Sequence, residues 1–283
     1  MENILFNGKL SGFRIEHIRR EKHYSMPINH FHEYYEIYYL LSGKRHYFIE
    51  SRNYYIKKGD LVIVDSNQIH KTNDIDDMEH ERILLELEPS LLTSLNSFIA
   101  DGFIEKSVFA NYGVISLEAE GQQIVEEILS CIMTEITEQN TGYNGMVMAK
   151  LIEFFTFIAR TLKSKPSSKL YDNSHKQNSK IDEIADYISS NYAENIDLDS
   201  LSDAFFISKY HLCRSFKKFT GFTINEYITI NRVMQAKKLL TETNLSITKV
   251  AEKVGYQCLT NFGRAFKQIL GKNPTEFRKT YKT

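Results

Sequence analysis

The C-terminal third of the chain contains itself twice, and this repeat limits the fold more than any other feature. Sliding the sequence by 50 residues lays "LCRSFKKFTGFTINEY" (212–227) over "FGRAFKQILGKNPTEF" (262–277), so that Arg214, Phe216, Lys217, Gly221 and Glu226 fall on Arg264, Phe266, Lys267, Gly271 and Glu276. Upstream, "LDSLSDAF" (198–205) falls on "ITKVAEKV" (247–254) at a shift of 49, which makes the second turn one residue longer. Each copy reads as a short helix with a small residue at its centre (Ser202, Ala251), a tight turn, and a second helix with an apolar-x-x-x-Phe core face. That is a helix-turn-helix written twice.

The helix ends agree. Ser208 is placed to cap the second helix of the first copy, Thr223 and Glu226 form a T-x-x-E capping box, and Asn273, Pro274 and Glu276 supply a cap, a first-turn proline and a reciprocal acceptor for the last helix. Gly255 suits the sharp second turn. Between the motifs a helix is predicted from about Ile224 to Leu240, 17 residues, roughly 25 Å long at 1.5 Å per residue. With the width of its neighbours this sets two recognition helices about one DNA turn apart, ~34 Å.

In the first recognition helix Leu212, Phe216 and Phe219 share the inward face, which leaves Lys209, Tyr210, His211, Arg214, Lys217 and Lys218 outward. In the second, Phe262, Phe266 and Ile269 face in, and Leu259, Thr260, Asn261, Arg264 and Lys267 face out. Arg214 and Arg264 are the expected base readers, since a guanidinium donates two hydrogen bonds to a guanine edge. The lysines suit phosphates. The competing expectation for each arginine is a surface salt bridge, to Asp203 or Glu252.

The segment "ITKVAEKVGYQCLTNFGRAFKQILGKNPTEFRK" resembles the signature of the AraC/XylS family of bacterial transcription regulators, and the resemblance covers residues 181 to 280. It implies two helix-turn-helix motifs joined by a rigid helix and entering successive major-groove segments on one face of the DNA. It also implies a cupin-like sensor domain ahead of them, with residues 1–12 as an arm able to close over the ligand.

Charge divides along the same line. Residues 1–163 carry 16 Lys+Arg against 24 Asp+Glu, a net of −8, whereas residues 180–283 carry 16 against 11, a net of +5. A basic module beside an acidic one points the C-terminal part toward a polyanion. The polar stretch "KSKPSSKLYDNSHKQNSK" (163–180) reads as a linker. Ahead of it, "FRIEHI", "YYEIYYLLSGKRHYFIE", "YYIKKGDLVIVD" and "RILLELE" read as strands, and residues 120–139 and 144–163 as a helical hairpin closed at "NTGYN". Ile124, Ile128, Ile132 and Ile136 form an aliphatic ridge that either packs on the barrel or meets its copy in a dimer.

The stretch "HFHEYYEIYYLLSG" (30–43) raises a separate question. His30, His32, Tyr34 and Glu36 share parity, so on a strand they point to one side. The spacing H-x-H-x3-E-x6-G matches the first cupin motif, and "GDLVIVDSNQIH", ending at His70, resembles the second, with Asp65 and Asn67 where cupins usually carry Pro and Gly. Such a set can hold iron, manganese or nickel. A polar sugar pocket needs the same groups, because His, Tyr and Glu hydrogen-bond hydroxyls. No nucleophile or cofactor motif accompanies them, so neither catalysis nor a cofactor is expected, and because sensor domains of the resembled family often carry the pattern without a metal, it is weak evidence for one.

The expected fold is therefore α+β: a cupin-like (jelly-roll) β-barrel with a helical hairpin at 1–163, a linker at 164–179, and an all-α domain with two helix-turn-helix motifs at 180–283. The expected effector is a carbohydrate bound near His30, His32, Glu36, Tyr38 and His70. Further expected partners are double-stranded DNA, RNA polymerase and a second copy in a homodimer. The rival reading is a metal-binding cupin enzyme with a basic helical appendage. No apolar run approaches the ~20 residues needed to span a bilayer and nothing marks export, so a cytoplasmic location is expected. Cys131, Cys213 and Cys258 lack metal or redox spacing and are expected to be packing residues.

Overall fold

A computed structural model describes residues 2–21, 32–74, 79–164 and 179–281. The chain divides into two compact units, one carrying the strands and one built of helices.

In the N-terminal unit, β1 (Glu2–Leu10), β2 (Phe13–Arg20), β8 (His80–Leu87), β3 (Tyr35–Ser42), β6 (Asp60–Val64) and β9 (Gly113–Ser116) form a six-stranded sheet in that order. A three-stranded sheet runs β5 (Arg52–Lys57), β4 (Lys44–Ile49), β7 (His70–Asp74). The two-residue period of β3 sorts its side chains into two layers. Tyr38 and Leu40 pack with Tyr47, Ile49, Ile56, Val62, Val64 and Leu84 between the sheets. Ile37 and Tyr39 face the other way, into the larger core under α3 (Ala119–Glu138) and α4 (Tyr143–Ser164). Both predicted hairpin helices are present.

The aliphatic ridge is consumed inside the chain: Ile128, Ile132 and Ile136 are buried with Val147, Leu151, Phe154, Phe155 and Ile158 of α4, and Ile124 is half-buried against the same cluster. The segment expected as a closing arm is instead the edge strand β1, paired with β2 from Glu2↔Arg20 to Leu10↔Phe13. Its hydrogen bonds go to a neighbouring strand, which satisfies backbone groups that a loose arm would leave to water.

The helical unit comprises α5 (Ser179–Ser190), α6 (Leu198–Ala204), α7 (Lys209–Thr220), α8 (Ile224–Glu242), α9 (Ile247–Lys253), α10 (Leu259–Leu270) and α11 (Pro274–Tyr281). The predicted caps form. Thr223 and Glu226 make both halves of a capping box, and Asn273 Oδ1 accepts from the Glu276 amide at 2.9 Å while Glu276 Oε2 accepts from the Asn273 amide at 3.0 Å. Helix α8 is the rod, 19 residues long. Its N-terminal half packs Tyr227 edge-on to Phe216 of the first motif at 5.5 Å, and its C-terminal half buries Val233, Ala236 and Leu240 with Val250, Phe262 and Phe266 of the second.

Two cysteines depart from expectation. Cys213 and Cys258 are exposed, and only Cys131 is half-buried. Cys213 sits on an α7 position that the apolar period leaves outside the core, and Cys258 precedes α10 as its N-cap residue. Among the described residues, no helix is long and apolar enough to cross a membrane.

Candidate functional site

The interior between the two sheets ends in a polar cluster. Glu36, on β3, is buried and shares parity with Tyr38. Its Oε2 lies 3.2 Å from Nε2 of His32, just ahead of β3, and 3.5 Å from Nε2 of His70, the first residue of β7. Its Oε1 accepts a 2.7 Å hydrogen bond from the Tyr47 hydroxyl on β4. The far nitrogen of each imidazole is also engaged: His32 Nδ1 lies 3.0 Å from the Tyr34 carbonyl and His70 Nδ1 2.9 Å from the Gln68 carbonyl. A carbonyl can only accept, so each Nδ1 carries a proton and both Nε2 atoms are turned toward Glu36.

Charge in this cluster is strongly coupled. Burial pushes the Glu36 carboxyl up, but the two imidazoles outweigh it and hold the group well below the usual carboxylate range. Burial works against the His32 imidazolium, yet its hydrogen bond to Glu36 and that carboxylate's charge raise it. Burial, with the Glu36 charge added, pushes the Tyr47 hydroxyl well up.

Of the five residues expected at this site, the structure brings His32, Glu36 and His70 together. Tyr38 packs edge-on to Tyr47 at 5.4 Å, with the Arg82 guanidinium over its ring at 5.7 Å. His30 lies outside the described residues. Sequence reasoning missed Tyr47 and the buried Arg45, which pairs with Asp74 across β4 and β7. Both come from β4, whose register against β7 is a tertiary fact with no sequence signal.

The second candidate surface is the pair α7 and α10. Lys209, Tyr210, His211, Arg214, Lys217 and Lys218 are exposed on α7, as are Thr260, Asn261, Arg264 and Lys267 on α10. The core face of α7 is Leu212, Phe216 and Thr220, whereas Phe219, expected inside, is half-buried with the Lys218 ammonium 5.4 Å from its ring. Thr220 goes inside because its hydroxyl closes the helix end, donating to the Phe216 carbonyl at 2.7 Å and accepting from the Phe222 amide at 3.0 Å. Lys209 pairs with Asp199. Glu252, one expected partner for an arginine, pairs instead with Lys249 at 2.7 Å. Among the described residues Arg214 and Arg264 form no ion pair, so both guanidiniums keep their donors for a ligand.

Known proteins resemble the chain in both units. The model of the AraC-like ligand binding domain matches residues 14–155, and that of a helix-turn-helix domain matches residues 201–280. An uncharacterized HTH-type transcriptional regulator of Bacillus subtilis, YbfI, is 27% identical over 76% of this chain and 74% of its own length. The probable transcriptional regulator LumQ of Photobacterium leiognathi is 25% identical over 95% and 97%. The Msm operon regulatory protein of Streptococcus mutans is 27% identical over 54% and 55%. Among solved structures, ToxT of Vibrio cholerae superposes with a TM-score of 0.40 at 16% identity, over 96% of this chain and 99% of that one.

Proposed function

This chain belongs to the AraC family of DNA-binding transcription regulators, an AraC-like ligand-binding domain followed by a helix-turn-helix domain, and from that premise we propose how it reads DNA and what it senses. The family is one of regulators, not enzymes. We assign base reading to Arg214 on α7 and to Arg264 and Asn261 on α10. Lys209, Lys217, Lys218 and Lys267 take phosphates, and Tyr210, His211 and Thr260 line the groove. The observation that carries this reading is that two recognition helices of one repeat leave these side chains exposed while one continuous helix, α8, packs against both motifs.

The effector site lies between the two sheets, beside His32, Glu36, Tyr38 and His70, with His30 as a further candidate. Convergent imidazole, carboxylate and phenol groups in a buried setting suit a polyhydroxylated ligand, so the effector proposed is a carbohydrate. Its unequal affinity for two arrangements of the chain shifts DNA binding or contact with RNA polymerase. The protein acts in the cytoplasm as a homodimer, which sedimentation at working concentration tests. Capturing fragments of the source genome on the purified chain and footprinting them tests the DNA reading. Protection of two segments about one turn apart is expected, and protection of neither would end it. A thermal-shift panel of sugars tests the effector class, because a ligand that binds only the folded state raises the melting midpoint.

A further inference from the structure

We infer that the effector taken between the two sheets carries an oxyanion group, a phosphate or a carboxylate, held by the guanidinium of Arg82 and the hydroxyl of Tyr38. The inference rests on the effector site proposed above and adds the ligand's charge. Strand parity places the residues. Tyr38 and Leu84 lie opposite each other on β3 and β8 and both belong to the core between the sheets, so Arg82, two residues from Leu84, faces the same interior. Arg82 lies opposite Ile18 on β2, which puts Arg20 on that side as well. From the facing sheet, Arg45 shares the parity of Tyr47 and Ile49 on β4, which lie in the same core.

Three buried cations thus surround one phenol. Burial pushes the Tyr38 hydroxyl up, while the charges of Arg45, Arg82 and Arg20 pull it down. Burial pushes the Arg45 guanidinium down, Tyr38 opposes that, and Arg20 and Arg82 add to it. Each guanidinium also meets a carboxylate: Arg20 donates to Glu2 at 3.1 Å, Arg82 Nη2 donates to Glu16 at 3.2 Å, and Arg45 pairs with Asp74. Two of these carboxylates are weak counter-charges. The Glu2 side chain is 44% exposed, and Glu16 is shared with Arg14.

Two donors remain. The Tyr38 hydroxyl and Nη1 of Arg82 have no hydrogen-bond partner among the described residues, although Tyr38 is only 2% exposed and Arg82 only 7%. Buried donors are ordinarily satisfied, and a charged one is the most costly to leave unmade. Water or a sugar hydroxyl would supply the bonds but not the charge. An oxyanion accepts from both donors and is drawn by all three guanidiniums. The Tyr38 ring meets Tyr47, whose hydroxyl donates to Glu36. A ligand with its hydroxyls toward Glu36 and its charged group toward Arg82 is a sugar phosphate or a sugar acid, not a neutral sugar.

The test is a thermal-shift and calorimetric comparison on the full-length protein at constant ionic strength. The probes are inorganic phosphate, propionate, and a set of sugars offered each as the neutral, phosphorylated and acid form. We expect the anionic forms to raise the melting midpoint and the neutral forms of the same sugars not to; which anionic form acts tells phosphate from carboxylate. Arg82→Gln weakens the anion by about 10- to 100-fold. Tyr38→Phe weakens it by about 10-fold and keeps the parent midpoint without ligand, because the hydroxyl it removes has no partner, so folding does not confound the result. Neutral and anionic forms acting alike, an anion response unchanged in both variants, or no response to any anion in the set overturns the inference. Inorganic phosphate or propionate acting through Arg82 while no sugar does so supports it and counts against the carbohydrate reading alone. A neutral sugar that binds regardless of Arg82→Gln does the reverse.

Discussion

Phe206 and Gly255 occupy corresponding places in the turns of the two helix-turn-helix motifs, and both lie in left-handed backbone, at φ +50° and +86°. The turn geometry is thus common to both copies while the residue that adopts it is not. At Gly255 an added Cβ would stand 2.4 Å from the Ala193 carbonyl oxygen, a backbone atom that cannot swing away. Phe206 is 91% exposed, so its ring contributes no packing to offset the strain of its backbone.

Opposite responses follow. Gly255→Ala lowers unfolding stability by about 2 kcal/mol or more, combining left-handed strain with the clash. Phe206→Gly leaves stability unchanged or raises it by up to about 1 kcal/mol, since relieved strain exceeds the added chain entropy. Urea denaturation of the full-length chain measures both, and a loss in Phe206→Gly equal to that in Gly255→Ala would contradict the strain assigned to Phe206.

Arg214→Ala and Arg264→Ala each weaken binding at a cognate site by roughly 1–3 kcal/mol with little effect on random DNA. Lys217→Ala and Lys267→Ala weaken both kinds of site alike and lower the slope of log K against log salt by about 1 each. Gel-shift titrations at several salt concentrations separate the two groups. An arginine variant that loses affinity equally on every sequence is a phosphate contact.

Glu81 on β8 accepts from Arg19 at 2.6 and 2.8 Å and sits 2.7 Å from His17 Nε2, both on the neighbouring β2. Burial pushes this carboxyl up, but the Arg19 and His17 contacts outweigh it and hold it below its ordinary 4.5. A carboxyl depressed in the folded state contributes stability above its unfolded pKa and loses it as pH falls through the lower folded value. Stability therefore declines less steeply below about pH 4.5 in Glu81→Gln than in the parent. Superimposable acid limbs in urea melts would remove Glu81 from the account.

Cys258 stands at the N-cap of α10 and is exposed. The backbone N–H groups of Asn261 and Thr260 pull its thiol below the ordinary value. Its alkylation by iodoacetamide, followed by mass spectrometry, persists to lower pH than that of free cysteine in the same buffer. A pH profile matching free cysteine counts against helix-end stabilisation.

The helical unit was largely legible in the sequence because its signals are local. A capping box spans residues 223 to 226, an apolar period repeats every three or four residues, and the turn glycine lies between two such patterns. The α7 face was misjudged at Phe219 and Thr220 because a helix-closing hydroxyl bond competes with apolar burial, and the period alone does not weigh the two. The strands around Glu36 were also legible, as alternation. What surrounds Glu36 was not.

The sequence by itself determined the double helix-turn-helix, its caps, the rod between the motifs and the side of β3 on which Glu36 and Tyr38 lie. Only the tertiary structure decided that Tyr47 meets Glu36, that His70 reaches it from the other sheet, that β1 is an edge strand, and that the isoleucine ridge is buried against α4. The physical reason is the range of the interactions. Caps and periodicities act over a few residues and are written where they act, whereas pairing between sheets depends on register and layer order, which emerge only when distant segments bury their apolar faces together.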